Sequence, residues 1–282
     1  MWHVFDIPLG VFIAVAALGG LLVGNWLTLL THRLPRMMER EWQAQCLDAA
    51  GAARPAGVYG LLSPPSHCPA CEAPVAAAGR IPVLGWMLLR GRCAACQAPI
   101  GWRYPAIELL TCLLFAACAW RFGATPLALT AMGLSATLVA LAWIDFESTL
   151  LPDVLTQPLV WAGLLVNLFD AFTSVQLAVV GAVAGYVFLW VIFHVFRLLT
   201  GREGMGQGDF KLLAALGAWF GVEALPMLLL SASLVGVLIG GALTLSGRAS
   251  RGQPLPFGPY LALAGLVMLL LGGEQGMWQF MN

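Results

Sequence analysis

The sequence predicts an all-α membrane protein of about eight transmembrane helices, with a cysteine-bearing polar domain between the first and the second. Three observations carry that reading. The composition is 60% apolar and only 10% charged, against roughly 25% charged in ordinary globular domains. The apolar residues fall in runs long enough to cross a bilayer. The basic residues gather on alternate loops.

Crossing about 30 Å of hydrocarbon takes roughly 20 mostly apolar residues. The first such run is Leu9 to Leu30. It is too long for a signal-peptide core and has no basic segment before it, so it is expected to be a retained helix. A polar stretch from Thr31 to Tyr104 follows and holds most of the charge. Seven further apolar runs then succeed one another: 105–121, 125–144, 154–170, 176–198, 210–224, 226–246 and 257–272. The run from Phe210 is the shortest, and Pro226 is expected to separate it from its successor. This divides the chain into a first membrane helix (1–31), a cytoplasmic domain (32–104) and a seven-helix membrane core (105–282).

Lys and Arg accumulate in cytoplasmic loops. Of the 14 basic residues, only Arg121 lies on one side. Arg33, Arg36, Arg40, Arg54, Arg80, Arg90, Arg92, Arg103, Arg197, Arg202, Lys211, Arg248 and Arg251 lie on the other. Both termini are therefore expected outside, with the polar domain and the loops near 145–153, 199–211 and 247–256 in the cytoplasm. The formal net charge is zero, which gives no sign of a nucleic-acid partner; the expected surroundings are a lipid bilayer. Three pairs of glycines four residues apart, Gly20/Gly24, Gly181/Gly185 and Gly236/Gly240, mark faces where helices approach closely in lipid.

Four of the seven cysteines form Cys68-x-x-Cys71 and Cys93-x-x-Cys96, with 21 residues between the pairs. Two such knuckles place four thiolates tetrahedrally around Zn²⁺, as zinc ribbons do. Pro69, Pro74, Gly91 and Pro99 supply the turns. A cytoplasmic location disfavours disulfides, so zinc is the preferred reading over two disulfides or free thiols. Four thiolates leave no open position, which makes the ion structural rather than catalytic. His67 reads as a solvated loop residue, and Cys46, Cys112 and Cys118 as packing residues.

Acidic residues next to apolar runs cost on the order of 2.5–3.5 kcal/mol at mid-helix and are usually functional. Asp145 closes one run, Asp153 opens the next, and Asp209 opens another within Gly204-Met205-Gly206-Gln207-Gly208-Asp209-Phe210-Lys211. All three are expected at the cytoplasmic face, whereas Asp170 and Glu223 are ordinary charges of the opposite face. Two carboxyl groups a few ångström apart share one proton. The ionised member can take a proton from water while the neutral one donates to a scissile carbonyl. Gly204, Gly206 and Gly208 are expected to admit close backbone approach and positive φ. The alternative for Asp153 and Asp209 is that each caps its helix.

Together these motifs resemble the prepilin peptidases, or type IV leader peptidases, of the GxGD class of membrane aspartyl proteases. The resemblance covers nearly the whole chain. It runs through Gly24-Asn25, His32-Arg33-Leu34-Pro35, Met38-Glu39-Arg40-Glu41-Trp42, both cysteine pairs and Arg103-Tyr104-Pro105-Ala106-Ile107-Glu108. It continues through Asp145, Leu151-Pro152-Asp153, Gly204 to Lys211, and Pro256-Phe257-Gly258-Pro259. It implies catalytic roles for Asp145 and Asp209, and zinc on Cys68, Cys71, Cys93 and Cys96. It also implies prepilin and pseudopilin substrates that bear a short basic leader, in pilus assembly or type II secretion. Keeping the cysteine-bearing domain, the chain resembles the bifunctional members, which implies methylation of the new N-terminus with S-adenosyl-L-methionine. No dinucleotide-type glycine fingerprint marks that cofactor's site. Glu39, Glu41 and Glu108 are acidic candidates for which a structural role is expected. Glu147, Asp153 and Glu203 either attract the basic leader or are solvated loop charges. A transporter with ion-binding aspartates would hold its ionisable groups near mid-span, not at one face.

Overall fold

The computed structural model describes residues 8–51, 59–63, 65, 67–68, 70–75, 79, 81–201, 205–247 and 256–272. The chain forms two compact units, Met1–Ala128 and Leu129–Asn282. No strand forms among the described residues; two isolated β-bridges are the nearest approach.

The first unit contains α1 (Leu9–Ala49), α2 (Leu84–Leu88) and α3 (Arg103–Phe122). Gly20 and Gly24 let α1 and α3 meet backbone to backbone. A Cβ at either would lie 2.7 Å from a main-chain atom of α3, at Cys112 and Glu108 respectively. α1 does not stop near Leu30 as hydropathy suggests. It continues to Ala49 through Pro35, because the segment after Leu30 is rich in Arg, Glu, Gln, Met and Leu, which are strong helix formers without being uniformly apolar. Arg33, 6% exposed, donates to the carbonyls of Gly60 and Leu61 at 3.0 and 3.1 Å. Arg103 reaches the Thr31 hydroxyl at 3.1 Å. Cys118 is fully buried, as expected of a packing residue, but Cys46 is exposed on the polar part of α1.

α4 (Pro126–Ser148) leads into the second unit, which holds α5 (Asp153–Asn167), α6 (Val175–Thr200), α7 (Gln207–Phe220), α8 (Leu225–Leu245) and α9 (Gly258–Leu271). α7 is the core: from Asp209 to Trp219 every residue except Lys211 is buried. α6 packs on it through Gly181 and Gly185, whose Cβ positions fall against the carbonyls of Gly217 and Leu213. α5 packs on it through Gly163, which faces the Trp219 ring. The Trp219 indole donates to the Leu159 carbonyl at 2.9 Å. Asn167, wholly buried, donates to the carbonyls of Ala218 and Trp219 and accepts from the N–H groups of Phe172 and Thr173. That amide closes the end of α7 onto the turn between α5 and α6.

The break after α7 falls at Gly221, not at Pro226. Gly221 has φ +83°, which an L side chain resists. A single 3₁₀ turn, Val222–Ala224, then runs into α8, and Pro226 sits in the first turn of that helix, where a missing N–H costs nothing. By length and hydropathy five helices among the described residues can cross a membrane: Leu9–Ala49, Arg103–Phe122, Pro126–Ser148, Val175–Thr200 and Val222–Leu245. α5, α7 and α9 have 15, 14 and 14 residues, or about 21–22 Å at the standard rise. The exposed faces of α6 and α8 carry Val183, Phe188, Leu230, Leu234 and Val237, the side chains a lipid contact calls for.

Replacing Gly181 by Val should cost about 1–3 kcal/mol of stability by overpacking. Gly241→Val, where a Cβ meets nothing within 4 Å, should leave thermal melting in detergent unchanged. Equal melting of the two variants would contradict the packing described.

Candidate active site and cysteine cluster

α4 carries Asp145 near its C-terminal end, just after the buried residues Leu138, Leu141 and Ile144 that anchor this stretch of helix. The carboxylate is 4% exposed. Gly258, the first residue of α9, lies directly against it: a Cβ there would fall 2.5 Å from Asp145 Oδ2. The Gly258 N–H is directed at the same carboxylate. Any side chain at 258 would displace the aspartate.

Asp209 lies in the first turn of α7, which Gly206 caps without a side-chain hydrogen bond. It is 5% exposed, so it faces the interior while also reaching back to the N–H of the cap residue Gly206. Its neighbour Phe210 is held against Tyr186 and Phe193 of α6, with ring centroids at 6.1 and 5.6 Å. That packing fixes the rotation of the turn and with it the direction of Asp209. The Gly206 N–H is directed at the Asp209 carboxylate, and Asp145 lies within electrostatic reach of it. Asp145 Oδ2 and Asp209 Oδ1 are buried and accept no hydrogen bond from the described residues. In a low-dielectric interior such oxygens demand a partner.

Gly206 and Gly208 do not take up positive φ: Gly206 is extended at φ −75° and Gly208 is helical. Close approach is what Gly208 supplies. A Cβ there would lie 2.5 Å from the Cβ of Leu151. Leu151 also stands 3.2 Å from the Cβ position of Gly258, so one leucine touches both the glycine beside Asp209 and the glycine against Asp145. Gly204 and Glu203 lie outside the described residues, as do Arg54, Pro69, Arg80, Arg202, Arg248 and Arg251.

Asp153 is neither a third member of the pair nor a cap. Pro152 occupies the cap position, and no side-chain hydrogen bond caps α5. Both Asp153 oxygens accept from Lys211 Nζ, at 2.6 and 2.7 Å. The pair ties the start of α5 to the first turns of α7. Lys211, Leu151 and Gly258 are thus parts of the site that acid chemistry alone does not single out, although each lies inside a motif that carries the family resemblance. Glu147 accepts from the Trp143 indole at 2.8 Å. Asp170 and Glu223 are exposed.

The cysteine cluster belongs to the first unit. The two knuckles are copies of each other. In one, the Cys68 N–H donates to Ala73 and the Glu72 N–H to Cys68; in the other, Cys93 donates to Ala98 and Gln97 to Cys93. Glu72 and Gln97 share a positive φ, 57° and 61°, and His67–Pro74 and Arg92–Pro99 form matching bridges. The four sulfurs lie within 4.8 Å of one another, with Cys68–Cys96 at 3.7 Å and Cys71–Cys93 at 3.9 Å. Tetrahedral zinc with Zn–S of about 2.3 Å requires S···S of about 3.8 Å. The donor set therefore fits a metal ion of that size. No disulfide joins any of the four.

The N–H groups of Cys96 and Ala95 pull the Cys93 thiol down to about 6. The Ala73 N–H favours the Cys71 thiolate, but the neighbouring Cys96, burial, and the sulfurs of Cys68 and Cys93 push it up to about 12. Four thiols this close lose their protons together only around a cation. His67 is exposed, with Nδ1 2.9 Å from the Pro65 carbonyl, and stays outside the cluster. Glu108 is buried and accepts from the Val83 N–H at 2.6 Å, bracing the start of α2. Glu39 and Glu41 lie one turn from Gln43 and Gln45 and accept from them on exposed helix.

An α-helical bundle with two aspartates buried at one end defines a membrane protein with a paired-carboxylate centre. Two family models match it: the bacterial peptidase A24 N-terminal domain over residues 18–122, and the type IV leader peptidase family over residues 132–241. A prepilin leader peptidase/N-methyltransferase of Aeromonas hydrophila is 49% identical over 276 residues, covering 96% of this chain and 94% of that one. Proteins of the same name from Burkholderia pseudomallei and Pseudomonas aeruginosa are 48% and 46% identical. They cover 94% and 93% of this chain, and 87% and 91% of their own. No solved structure matches. The chain belongs to the type IV leader peptidase family.

The Asp153–Lys211 pair is 51% and 31% exposed, so either Ala variant should lose at most about 1 kcal/mol of stability. A larger loss on thermal melting would show that the pair holds the fold itself rather than the local register of α5 and α7.

Proposed function

We propose that the chain cleaves the basic leader from type IV prepilins and pseudopilins at the cytoplasmic face of the bacterial inner membrane, and then methylates the new N-terminus. One observation carries the peptidase reading: Asp145 and Asp209 are buried within electrostatic reach of each other, each with an oxygen that no described residue satisfies. The relatives' names support both activities.

In this reading Asp145 and Asp209 share one proton and hold a water between them. The ionised carboxylate takes a proton from that water as its oxygen attacks the scissile carbonyl carbon. The neutral partner gives its proton to the carbonyl oxygen. The resulting diol collapses, the C–N bond breaks, and the leaving nitrogen departs with a proton from the pair. Water is the only co-reactant. Gly258 and Gly208 serve the step by leaving room around Asp145 and Leu151, and the Lys211–Asp153 pair keeps α5 and α7 in register. Asp153 is neutralised by Lys211, whereas the Trp143 indole N–H that Glu147 accepts is neutral and leaves its charge in place for a basic leader.

The remaining assignments extend the same reading. Cys68, Cys71, Cys93 and Cys96 hold structural zinc in a cytoplasmic domain, 32–104. Eight helices span the membrane, with both termini periplasmic and the protease core in 105–282. S-adenosyl-L-methionine supplies the methyl group. No residue of this chain is assigned to it, since Glu39, Glu41 and Glu108 each have a structural partner.

Asp145→Asn and Asp209→Asn should each lower leader cleavage by at least about 100-fold in detergent-purified protein incubated with a prepilin. Cleavage that survives either change would end the aspartyl reading. Labelled S-adenosyl-L-methionine in the same reaction should mark the product N-terminus; unlabelled product would leave a peptidase alone. Metal analysis of Cys71→Ser should find zinc strongly depleted, and wild-type zinc content in that variant would refute the ligand assignment.

A further inference from the structure

The two faces of α2 differ in kind. One is fixed to the polar domain: the Trp86 indole donates to the Ile100 carbonyl at 3.1 Å, and a Cβ at Gly91 would fall 2.8 Å from the same ring. Leu84, Met87 and Leu88 share the other face, since residues three and four apart lie on one side of a helix. They are 57, 60 and 71% exposed, and Ile81, just before the helix, is exposed too. Four large apolar side chains within eight residues thus point outward. A face like that on a domain surrounded by water marks an interaction surface.

Depth decides what covers it. The Val83 N–H, immediately before α2, donates to Glu108 Oε2 at 2.6 Å. Glu108 lies five residues into α3 from Arg103, about 8 Å at the helical rise. α1 gives a second ruler. A Cβ at Gly24 would lie 2.7 Å from the Glu108 Cα. Gly24 stands six residues inside Leu30, where the apolar run of α1 ends, or about 9 Å. Both rulers put the Glu108 backbone inside the polar level that the Arg103–Thr31 bond marks. A helical side chain covers the turn N-terminal to its own Cα, so the Glu108 carboxylate holds Val83 between that level and Glu108 itself. Leu109, Leu110 and Leu113, directly after Glu108, are exposed and begin the apolar face of α3. The rim carries matching groups. Arg90 and Arg92 follow α2 and are exposed, as is Trp102 just before α3; Trp and Arg are side chains that settle at the boundary between lipid and water.

We propose that α2 is an interfacial helix: Ile81, Leu84, Met87 and Leu88 dip into the leaflet that adjoins the polar domain, and Arg90 and Arg92 meet the lipid phosphates. The partner of this face is the lipid surface, not a protein. Interfacial helices sink their apolar face about 5–10 Å into the headgroup and acyl boundary, the depth at which Glu108 holds Val83. The second knuckle starts at Cys93, five residues after Leu88. The cysteine cluster is therefore moored against the membrane rather than carried free in water. The inference stands on the placement of α1 and α3 in the bilayer and is independent of the peptidase chemistry.

A photo-crosslinking residue in place of Leu88 tests this, in the full chain reconstituted into vesicles of phosphatidylethanolamine and phosphatidylglycerol. Leu113, on the exposed face of α3, is the control position in lipid, and Ala49, exposed at the end of α1, the control in water. The expected result is lipid adducts from 88 in a yield matching that from 113, with none from 49. A yield from 88 no higher than that from 49, or adducts to protein in place of lipid, overturns the proposal. Absence of lipid adducts from 113 would bring down the placement of α3, and the proposal with it. Depth gives a second readout. A fluorescent residue at 84 should be quenched more by lipid brominated near the headgroup than by lipid brominated at the acyl terminus. Equal quenching, none, or the reverse order overturns the interfacial position.

Discussion

Two carboxylates buried side by side at the ends of apolar helices repel each other and forfeit their hydration, and the second unit is built around that constraint. Each aspartate is given a backbone N–H, from Gly258 or Gly206, and among the described residues neither is given a cation. Lys211, two residues from Asp209, is drawn off to Asp153. A lysine on the pair would satisfy both charges and leave no carboxylate able to take a proton from water. The ion pair is worth little in stability because it is exposed, but it keeps the Lys211 cation off the wrong partner. Glycine plays the complementary part, since Gly208 and Gly258 stand where a side chain would meet Leu151 or Asp145. The close contacts of α5, α6 and α9 around α7 follow from the same economy of side-chain volume.

The first unit solves a different problem. A small polar segment such as 59–102 has few apolar side chains to bury, and chains of this size usually need a metal or disulfides to hold shape. Here two knuckles of matching hydrogen-bond pattern face each other with sulfur spacings suited to a tetrahedral ion. Glu108 on α3 and Arg33 on α1 fasten the surrounding loops by accepting from Val83 and donating to Gly60 and Leu61. Buried and bonded in this way, both charged residues have a structural task on helices that are otherwise largely apolar.

Much of this is legible in the sequence because hydrocarbon imposes a simple length rule. All eight apolar runs coincide with helices, and the glycine pairs at 20/24 and 181/185 mark real contacts. The discrepancies have physical causes. Hydropathy detects where a helix leaves lipid, not where its hydrogen bonding ends, so it closes α1 near Leu30 when the helix runs to Ala49. A proline at a helix start resembles a breaker, which favours Pro226 although Gly221 with its positive φ makes the turn. Asp153 resembles a cap because its partner, Lys211, lies 58 residues away, and no local pattern announces a pair across that distance. Cys46 resembles a packing residue because cysteine is usually buried; on the polar half of α1 it is exposed.

The three helices too short to cross a bilayer unaided, α5, α7 and α9, are the three whose first residues surround the aspartates. A helix of about 21 Å in a layer of about 30 Å begins well below the interface. Irregular backbone then lies at membrane depth in front of each: Thr149–Pro152, Met205–Gly206 and Pro256–Phe257. Such backbone is tolerated only where protein or water covers its polar groups. Shortening the helices therefore gathers irregular, polar backbone around the two aspartates inside an otherwise apolar bundle. Longer helices would replace that backbone with regular, self-satisfied turns and leave no backbone N–H free for Asp145 and Asp209. The deficit in helix length is what lets the backbone supply N–H groups to two buried carboxylates where a full-length helix would keep them for itself.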